Sequence, residues 1–272
     1  YSFLKFWFKQ DFKQRPIFSC WLCVLIIIEK NIIILSYYYN LLIKPDLIMT
    51  KVFQNIPIII LAGGKGERFV SKENLPKQLT KVSDHPIIIE IILYYFKNGF
   101  NLFILPLGYK HNFFVNFFNN KKNIVKYNIN ILKNKNSIVV KSKINILLFN
   151  CGLKANKLVR IKKSIKFLNN NIDKIGVCYG DIFANISFKK ELLKLKNKNT
   201  DCVTVGYNEK SPFGHMTIKN NLVKKFNEKP KLKDPINIGF YFFKKKLFSN
   251  INNNLNLDLE TNLLPKLSKM NK

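Results

Sequence analysis

From residue 56 onward, short apolar runs alternate with amphipathic stretches, the pattern of strands joined by crossover helices. Residues 56–62 form a continuous apolar run, as expected of a strand buried on both faces. Asp84 and Pro86 then supply a cap and a first-turn proline for a helix through Phe96, which Gly99 closes. Strands are predicted over 102–107 and 144–149, with a helix near 112–118 between them. An amphipathic helix over 157–168 precedes an apolar strand at 175–179 that ends in Gly180 and Asp181. A helix over 187–195, strands at 202–207, 215–218, 222–227 and 236–243, and a last helix at 257–267 complete the pattern. This order predicts an α/β fold, Rossmann-like, with a mixed, mainly parallel sheet and flanking helices.

Residues 1–48 break the pattern. Two apolar stretches, 17–28 and 32–43, are separated by Glu29, Lys30 and Asn31. Each is too short to span a bilayer, and charges at the centre of a combined helix cost about 2.5–3.5 kcal/mol each. No small-residue cleavage site follows, as a signal peptide would need. The first methionine is Met49, seven residues before the run at 56. The expectation is therefore an apolar extension over 1–48, non-native if translation starts at Met49, and a catalytic domain over 49–272.

With 272 residues and 47% hydrophobic content, the chain can bury a core of one large α/β domain. The formal charge of +30 suggests nucleic acid or an anionic membrane at first sight. Lysines, however, run along the whole chain together with abundant Asn, Ile, Phe and Tyr, the composition that AT-rich coding imposes. We expect no nucleic-acid partner and no membrane for the catalytic domain. Five cysteines at irregular spacing fit neither a disulfide framework nor a zinc site, which points to a reducing, cytoplasmic compartment.

The chemistry concentrates where the first buried strand runs into Gly63, Gly64, Lys65, Gly66, Glu67 and Arg68. Glycines let backbone approach a polyphosphate closely, and successive N–H groups form an anion-binding nest. Dinucleotide-binding turns and ordinary tight turns share this feature. Lys77, in the segment LPKQL, follows nine residues after Arg68, so two cations can converge on one triphosphate or remain solvated surface charges. Asp181, at the carboxyl end of a central strand, suits a metal ligand or a loop cap.

LAGGKGERF followed by PKQL resembles the signature of the sugar-phosphate nucleotidyltransferases. The resemblance continues with GYK at 108–110, CGLKANKLVRIKKS at 151–164, YGD at 179–181, SPFGHMTI at 211–218, FNEKP at 226–230 and INIGFYFF at 236–243. It covers about 56–267 and is closest to the glucose-1-phosphate cytidylyltransferases. It implies the nucleotide-diphospho-sugar transferase type of fold, with Leu61, Ala62, Gly63, Gly64, Lys65, Gly66 and Glu67 around the nucleotide. By the same resemblance Arg68 contacts the departing pyrophosphate and Lys77 the α-phosphate, these two being catalytic. Arg160 and Gly180 join the nucleotide site, Lys229, Asn237 and Gly239 the sugar-phosphate site, and Asp181 binds Mg2+.

The implied substrates are a nucleoside triphosphate, CTP first, and a sugar 1-phosphate, glucose 1-phosphate first, with a homo-oligomer as a possible assembly. Guanylyl- and thymidylyltransferases, or a degenerate binding homologue, are the alternatives. Glu67 stands where the family has Thr or Ser, and Leu158 and Val159 replace two glycines. A second metal-binding Asp expected beyond the last helix has no counterpart, the mark of a truncated or degenerate chain, and Asp258 and Glu260 read as helix N-terminal charges.

Overall fold

The computed structural model describes residues 26–27, 53, 55–64, 74–82, 84–249, 251 and 257–272. The expectation for 1–48 lies outside the described residues, apart from a two-residue strand. In chain order the strands are β1 (Ile26–Ile27), β2 (Ile58–Leu61), β3 (Leu102–Leu107), β4 (Ile129–Leu132), β5 (Ile144–Asn150), β6 (Lys174–Tyr179), β7 (Phe183–Ala184), β8 (Cys202–Tyr207), β9 (His215–Lys219), β10 (Leu222–Asn227) and β11 (Ile236–Lys244). The helices are α1 (Ile87–Lys97), α2 (His111–Asn119), α3 (Lys121–Lys126), α4 (Lys157–Ile165), α5 (Phe188–Lys194) and α6 (Leu264–Lys269).

Seven strands form one sheet in the order β4-β5-β3-β2-β6-β11-β8. Neighbours from β4 to β6 run parallel, whereas β11 is antiparallel to both β6 and β8. The sheet is thus mixed and mainly parallel. Alternate residues of each strand enter two separate cores, as the period-two geometry of a strand requires. Ile58 and Ile60 pack with α1 on one face, while Ile59 packs with Ile104, Val177 and α4 on the other. All three isoleucines of β2 are fully buried, which stabilises the fold by about 1.5–3 kcal/mol each.

Helix boundaries differ from expectation at their caps. The first helix begins at Ile87 with Pro86 as its N-cap and no side-chain cap from Asp84. Gly99 closes it at φ 94°, a left-handed value that glycine adopts without strain. The predicted helix over 157–168 stops at Ile165, and Asn156 caps its start by accepting from the Val159 N–H at 3.0 Å. The last helix does not begin at 257: a π-helical turn over Leu259–Leu263 leads into α6.

Helix α3 and strand β4 are among the elements that escaped the hydrophobic pattern, as did the two-residue strands β1 and β7. Helix α3 has no buried residue, so no apolar stripe marks it, and Asn120 caps it by accepting from the Lys122 N–H at 2.9 Å. Strand β4 is the sheet edge and pairs in register with β5, Ile129 opposite Ile144 and Leu132 opposite Leu147.

Between β8 and β11 the chain makes a separate hairpin. Strands β9 and β10 are joined by Asn220 and Asn221 at φ 52° and 59°, the positive values that a two-residue I′ turn requires. Cross-strand partners share a face, so Met216, Phe226, Ile218 and Val223 lie together, with Lys219 and Lys225 on the opposite side. All four apolar residues are exposed. No helix among the described residues is long and apolar enough to cross a membrane.

Candidate active site

The carboxyl edge of the parallel strands collects most of the sequence-predicted residues. In an open α/β sheet ligands bind there, where connections leave adjacent strands in opposite directions. From β2 the chain crosses first to β3 on one side and later to β6 on the other. Leu61, Ala62, Gly63 and Gly64 leave β2, Gly108 leaves β3, and Gly180 and Asp181 leave β6. The turns are tied together: Gly180 N–H donates to Leu61 O at 3.1 Å, and Tyr109 N–H donates to Gly63 O at 3.2 Å. At Gly180 a Cβ would come within 3.1 Å of Ala62 Cβ and 3.2 Å of Leu61 O, so glycine is what lets the two strand ends approach.

Lys77 is brought to this edge by a short 3-10 turn, Lys77–Leu79, behind Pro76. Its Nζ donates to Asp181 Oδ2 at 3.1 Å. Two groups 104 residues apart thus meet beside the Gly63–Gly64 turn. Gly64 is exposed, and among the described residues a Cβ there would meet nothing within 4 Å. Lys65, Gly66, Glu67 and Arg68 lie outside the described residues.

Arg160 is buried behind the turn, on α4. Its Nε donates to Ala155 O, Nη1 to Pro106 O and Nη2 to Gly63 O, each at 2.9 Å. Burial lowers its pKa from the usual guanidinium value, partly offset by Cys151. The glycines at 63 and 108 make room for it. A Cβ on Gly63 would sit 1.8 Å from Nη1, and one on Gly108 would sit 2.5 Å from Nη2.

Beside the turn lies a cleft of about 370 Å3, lined by Gly108, His111, Asn112, Phe113, Asn150 and Gly152 among others. That volume is within the range of small-molecule sites. Asn150 Oδ1 accepts from Gly152 N–H at 2.8 Å, and its Nδ2 lies 3.5 Å from His111 Nδ1. Neither Asn150, the last residue of β5, nor His111, which opens α2, was singled out by the sequence, since neither belongs to a motif.

On the other flank, β11 slips by two residues against β8 between Asn237 and Tyr241. Gly239 sits within that slip at φ 72°, and a Cβ there would lie 2.2 Å from the Tyr179 ring. Asn237 is engaged internally: Nδ2 donates to Tyr241 Oη at 2.6 Å and Oδ1 accepts from Gly239 N–H at 2.9 Å. Tyr179 Oη donates to Glu260, whose other carboxylate oxygen is 2.6 Å from Lys157 Nζ. Burial, then the bond to Glu260, pushes the Tyr179 hydroxyl pKa well above its ordinary value.

Glu260 is therefore more than the helix N-terminal charge the sequence suggested, since it joins β6, α4 and the π-helical turn. Asp258 does act as a cap, its Oδ1 accepting from Glu260 N–H at 3.1 Å. Lys229 stands apart from the cluster. It is exposed at φ 46° beyond β10, and its Nζ is 4.0 Å from Glu228. Among the described residues, no hydrogen bond or ion pair joins it to Lys77 or Asp181.

Comparison with known proteins gives this edge a family context. A family model described as nucleotidyl transferase matches residues 57–269. A Bacillus subtilis protein named probable glucose-1-phosphate cytidylyltransferase is 28% identical over 224 residues, 78% of this chain and 84% of that protein. A Campylobacter jejuni D-glycero-alpha-D-manno-heptose 1-phosphate guanylyltransferase is 28% identical over 194 residues, 70% of this chain and 77% of its own length. Among solved structures, HddC from Yersinia pseudotuberculosis complexed with GMP-PN superposes with a TM-score of 0.54 at 22% identity, covering 78% of this chain and 86% of that one. This last likeness carries the fold.

Proposed function

Because the chain belongs to the nucleotidyl transferase family, we propose that it transfers CMP from CTP to glucose 1-phosphate and releases pyrophosphate. The observation that carries the reading is the Lys77–Asp181 pair at 3.1 Å, set beside an open glycine turn and a cleft of about 370 Å3. Triphosphate on the turn and base in the cleft is the arrangement these features support. The choice of CTP and glucose 1-phosphate draws on the Bacillus relative and on the RIKK, YGD and PFG segments.

The reaction is an in-line displacement. A sugar phosphate oxygen forms a bond to the α-phosphorus as the bond from that phosphorus to the bridging oxygen breaks, and the electron pair leaves with pyrophosphate. A phosphate dianion is already a nucleophile, so no general base is required, and positioning with charge neutralisation dominates. Lys77 neutralises charge on the α-phosphoryl oxygens, Arg68 meets the leaving pyrophosphate, and Lys229, Asn237 and Gly239 serve the sugar phosphate in this reading.

Asp181 is a partly exposed carboxylate on the phosphate side of the edge, which fits Mg2+, an ion held by one or two carboxylates with substrate phosphates completing its shell. Among the described residues no group of three or more His, Cys, Asp or Glu assembles for a metal, and Asp181 is the residue that would hold such an ion. When bound, the ion supplies further neutralisation of phosphate charge.

The same reading places the protein in the cytoplasm, with a nucleoside triphosphate and a sugar 1-phosphate as partners. It also includes a homo-oligomer through the β9–β10 hairpin. A two-stranded hairpin is marginal alone in water. Its apolar face brings Met216, Ile218, Val223 and Phe226 together, a surface that a second copy could cover.

A guanylyltransferase reading draws on the Campylobacter relative and on the LETNLLPKL segment. The test is pyrophosphate release with CTP, GTP, dTTP or UTP, each with glucose 1-phosphate and with heptose and mannose 1-phosphates, beside Lys77→Ala. Release with CTP and glucose 1-phosphate, absent in the variant, is expected. Preference for GTP overturns the CDP-sugar reading, and nucleotide binding without turnover identifies a degenerate homologue.

A further inference from the structure

We propose that Arg160 is a positioning residue for the phosphate turn, acting through the Gly63 carbonyl, and does not read the base. The inference rests on the reading that Gly63 and Gly64 receive the triphosphate. The resemblance assigns Arg160 to nucleotide contact, yet its guanidinium lies behind the turn and is 5% exposed.

The Gly63 carbonyl accepts from Arg160 Nη2 at 2.9 Å and from Tyr109 N–H at 3.2 Å, which uses both of its lone pairs. A trans peptide is planar, with its C=O and the following N–H pointing in opposite directions. Drawing Gly63 O inward towards Arg160 therefore turns the Gly64 N–H away from Arg160, and Gly64 itself is exposed. An anion in front of the turn meets a donor whose direction is already fixed. Such pre-orientation adds to affinity because no ordering remains to be done on binding.

The planar, pre-organised guanidinium fork holds three carbonyls from three different elements in fixed directions. Pro106 O belongs to β3, Ala155 O to the approach to α4, and Gly63 O to the phosphate turn. Gly63 and Gly108 form the walls of the slot, since a Cβ on either would collide with the guanidinium. Among the described residues no carboxylate pairs with Arg160. Within those residues its positive charge stands without a paired carboxylate behind the turn, where its field adds to the attraction for a polyphosphate.

Two roles for Arg160 give opposite signatures. A strut for the phosphate turn governs any polyphosphate whatever its base, whereas a base reader changes the preference among nucleotides. The experiment uses the full chain and its Arg160→Lys and Arg160→Gln variants. Inorganic tripolyphosphate binding is measured by titration calorimetry, and kcat/KM with CTP and with GTP is measured in parallel. We expect tripolyphosphate to bind at least tenfold more weakly to Arg160→Lys, which keeps the charge but loses the fork, and more weakly still to Arg160→Gln. The KM for CTP and for GTP should rise together, leaving the ratio of their kcat/KM values within twofold of the parent.

Unchanged tripolyphosphate binding overturns the inference, whether or not the CTP to GTP ratio moves. A parent protein that fails to bind tripolyphosphate overturns the phosphate-turn reading as well, so the two failures are told apart. If the Arg160 variants do not unfold cooperatively, Gly108→Ala supplies the tripolyphosphate measurement alone, since Gly108 also lines the cleft. Its Cβ would press on Nη2 from 2.5 Å, so weaker tripolyphosphate binding is again the expected result and unchanged binding overturns the inference.

Discussion

Lys77 Nζ and Asp181 Oδ2 lie 3.1 Å apart across 104 residues of sequence, and both stay partly open to solvent. An ion pair this exposed contributes about 1 kcal/mol or less to stability. The pair therefore adds little to the fold, and its placement at the carboxyl edge of the sheet is what the proposed function uses. Lys77→Ala should lower kcat for pyrophosphate release by roughly 10²–10³, the usual scale for losing one group that stabilises developing charge. The urea midpoint should hardly move. A large loss of stability would reassign Lys77 to a structural role.

Gly64 and Gly239 separate the two kinds of glycine in this chain. At Gly239, φ is 72° and the Tyr179 ring fills the place of a Cβ. Gly239→Ala combines left-handed strain of about 1–2 kcal/mol with overpacking of about 1–3 kcal/mol. Urea unfolding should show a loss of about 2 kcal/mol or more. Gly64→Ala meets nothing within 4 Å, so its unfolding curve should overlay the parent's while tripolyphosphate binding weakens.

Burial pushes the thiols of Cys178 and Cys202 from 9.0 up to about 12, and the Tyr94 hydroxyl from 10.0 to about 12. Each folded-state pKa is raised, so the folded chain holds these protons more tightly than the unfolded chain does. Their contribution is fully present below pH 9 and is lost as pH rises from about 9 towards 12. Urea midpoints at pH 8, 9, 10 and 11 should be level at first and then fall. Cys178→Ala should reduce the steepness of the fall, because the buried thiol that resists ionisation is gone.

Met216 and Phe226 are directly opposed on the hairpin and are exposed by 57% and 59%. If this face joins two copies, Met216→Lys with Phe226→Lys puts four lysines into one interface. Sedimentation velocity should then report a monomer where the parent sediments as an oligomer, with little change in urea midpoint at the low concentration where both are monomeric. A parent that is monomeric at all concentrations would remove the hairpin interface from the reading.

The strands buried on both faces were legible because burial on two sides demands an unbroken apolar run, which β2, β3, β5 and β6 provide. Helix α3 was not legible, since a helix with no buried residue leaves no stripe in the sequence, and edge strand β4 is too short to announce itself. Lys77 and Asp181 stood out through their motifs, and the sheet order brings them together. Asn150 and His111 carry no motif. Only the cleft beside Gly108 draws attention to them.

What the amino-acid sequence by itself determined is the class of the fold and the position of its glycine-rich turn at a strand end, because periodicity and glycine-rich turns are local properties. Tertiary structure alone decided what Arg160 and Glu260 touch. Arg160 reaches the Gly63 carbonyl 97 residues away, and Glu260 reaches Tyr179 81 residues away. Such partners are set by strand order and by the slot that two glycines leave open, and neither is written in the spacing along the chain. A charged side chain in a motif can face a ligand or face backward into the fold, and packing settles which.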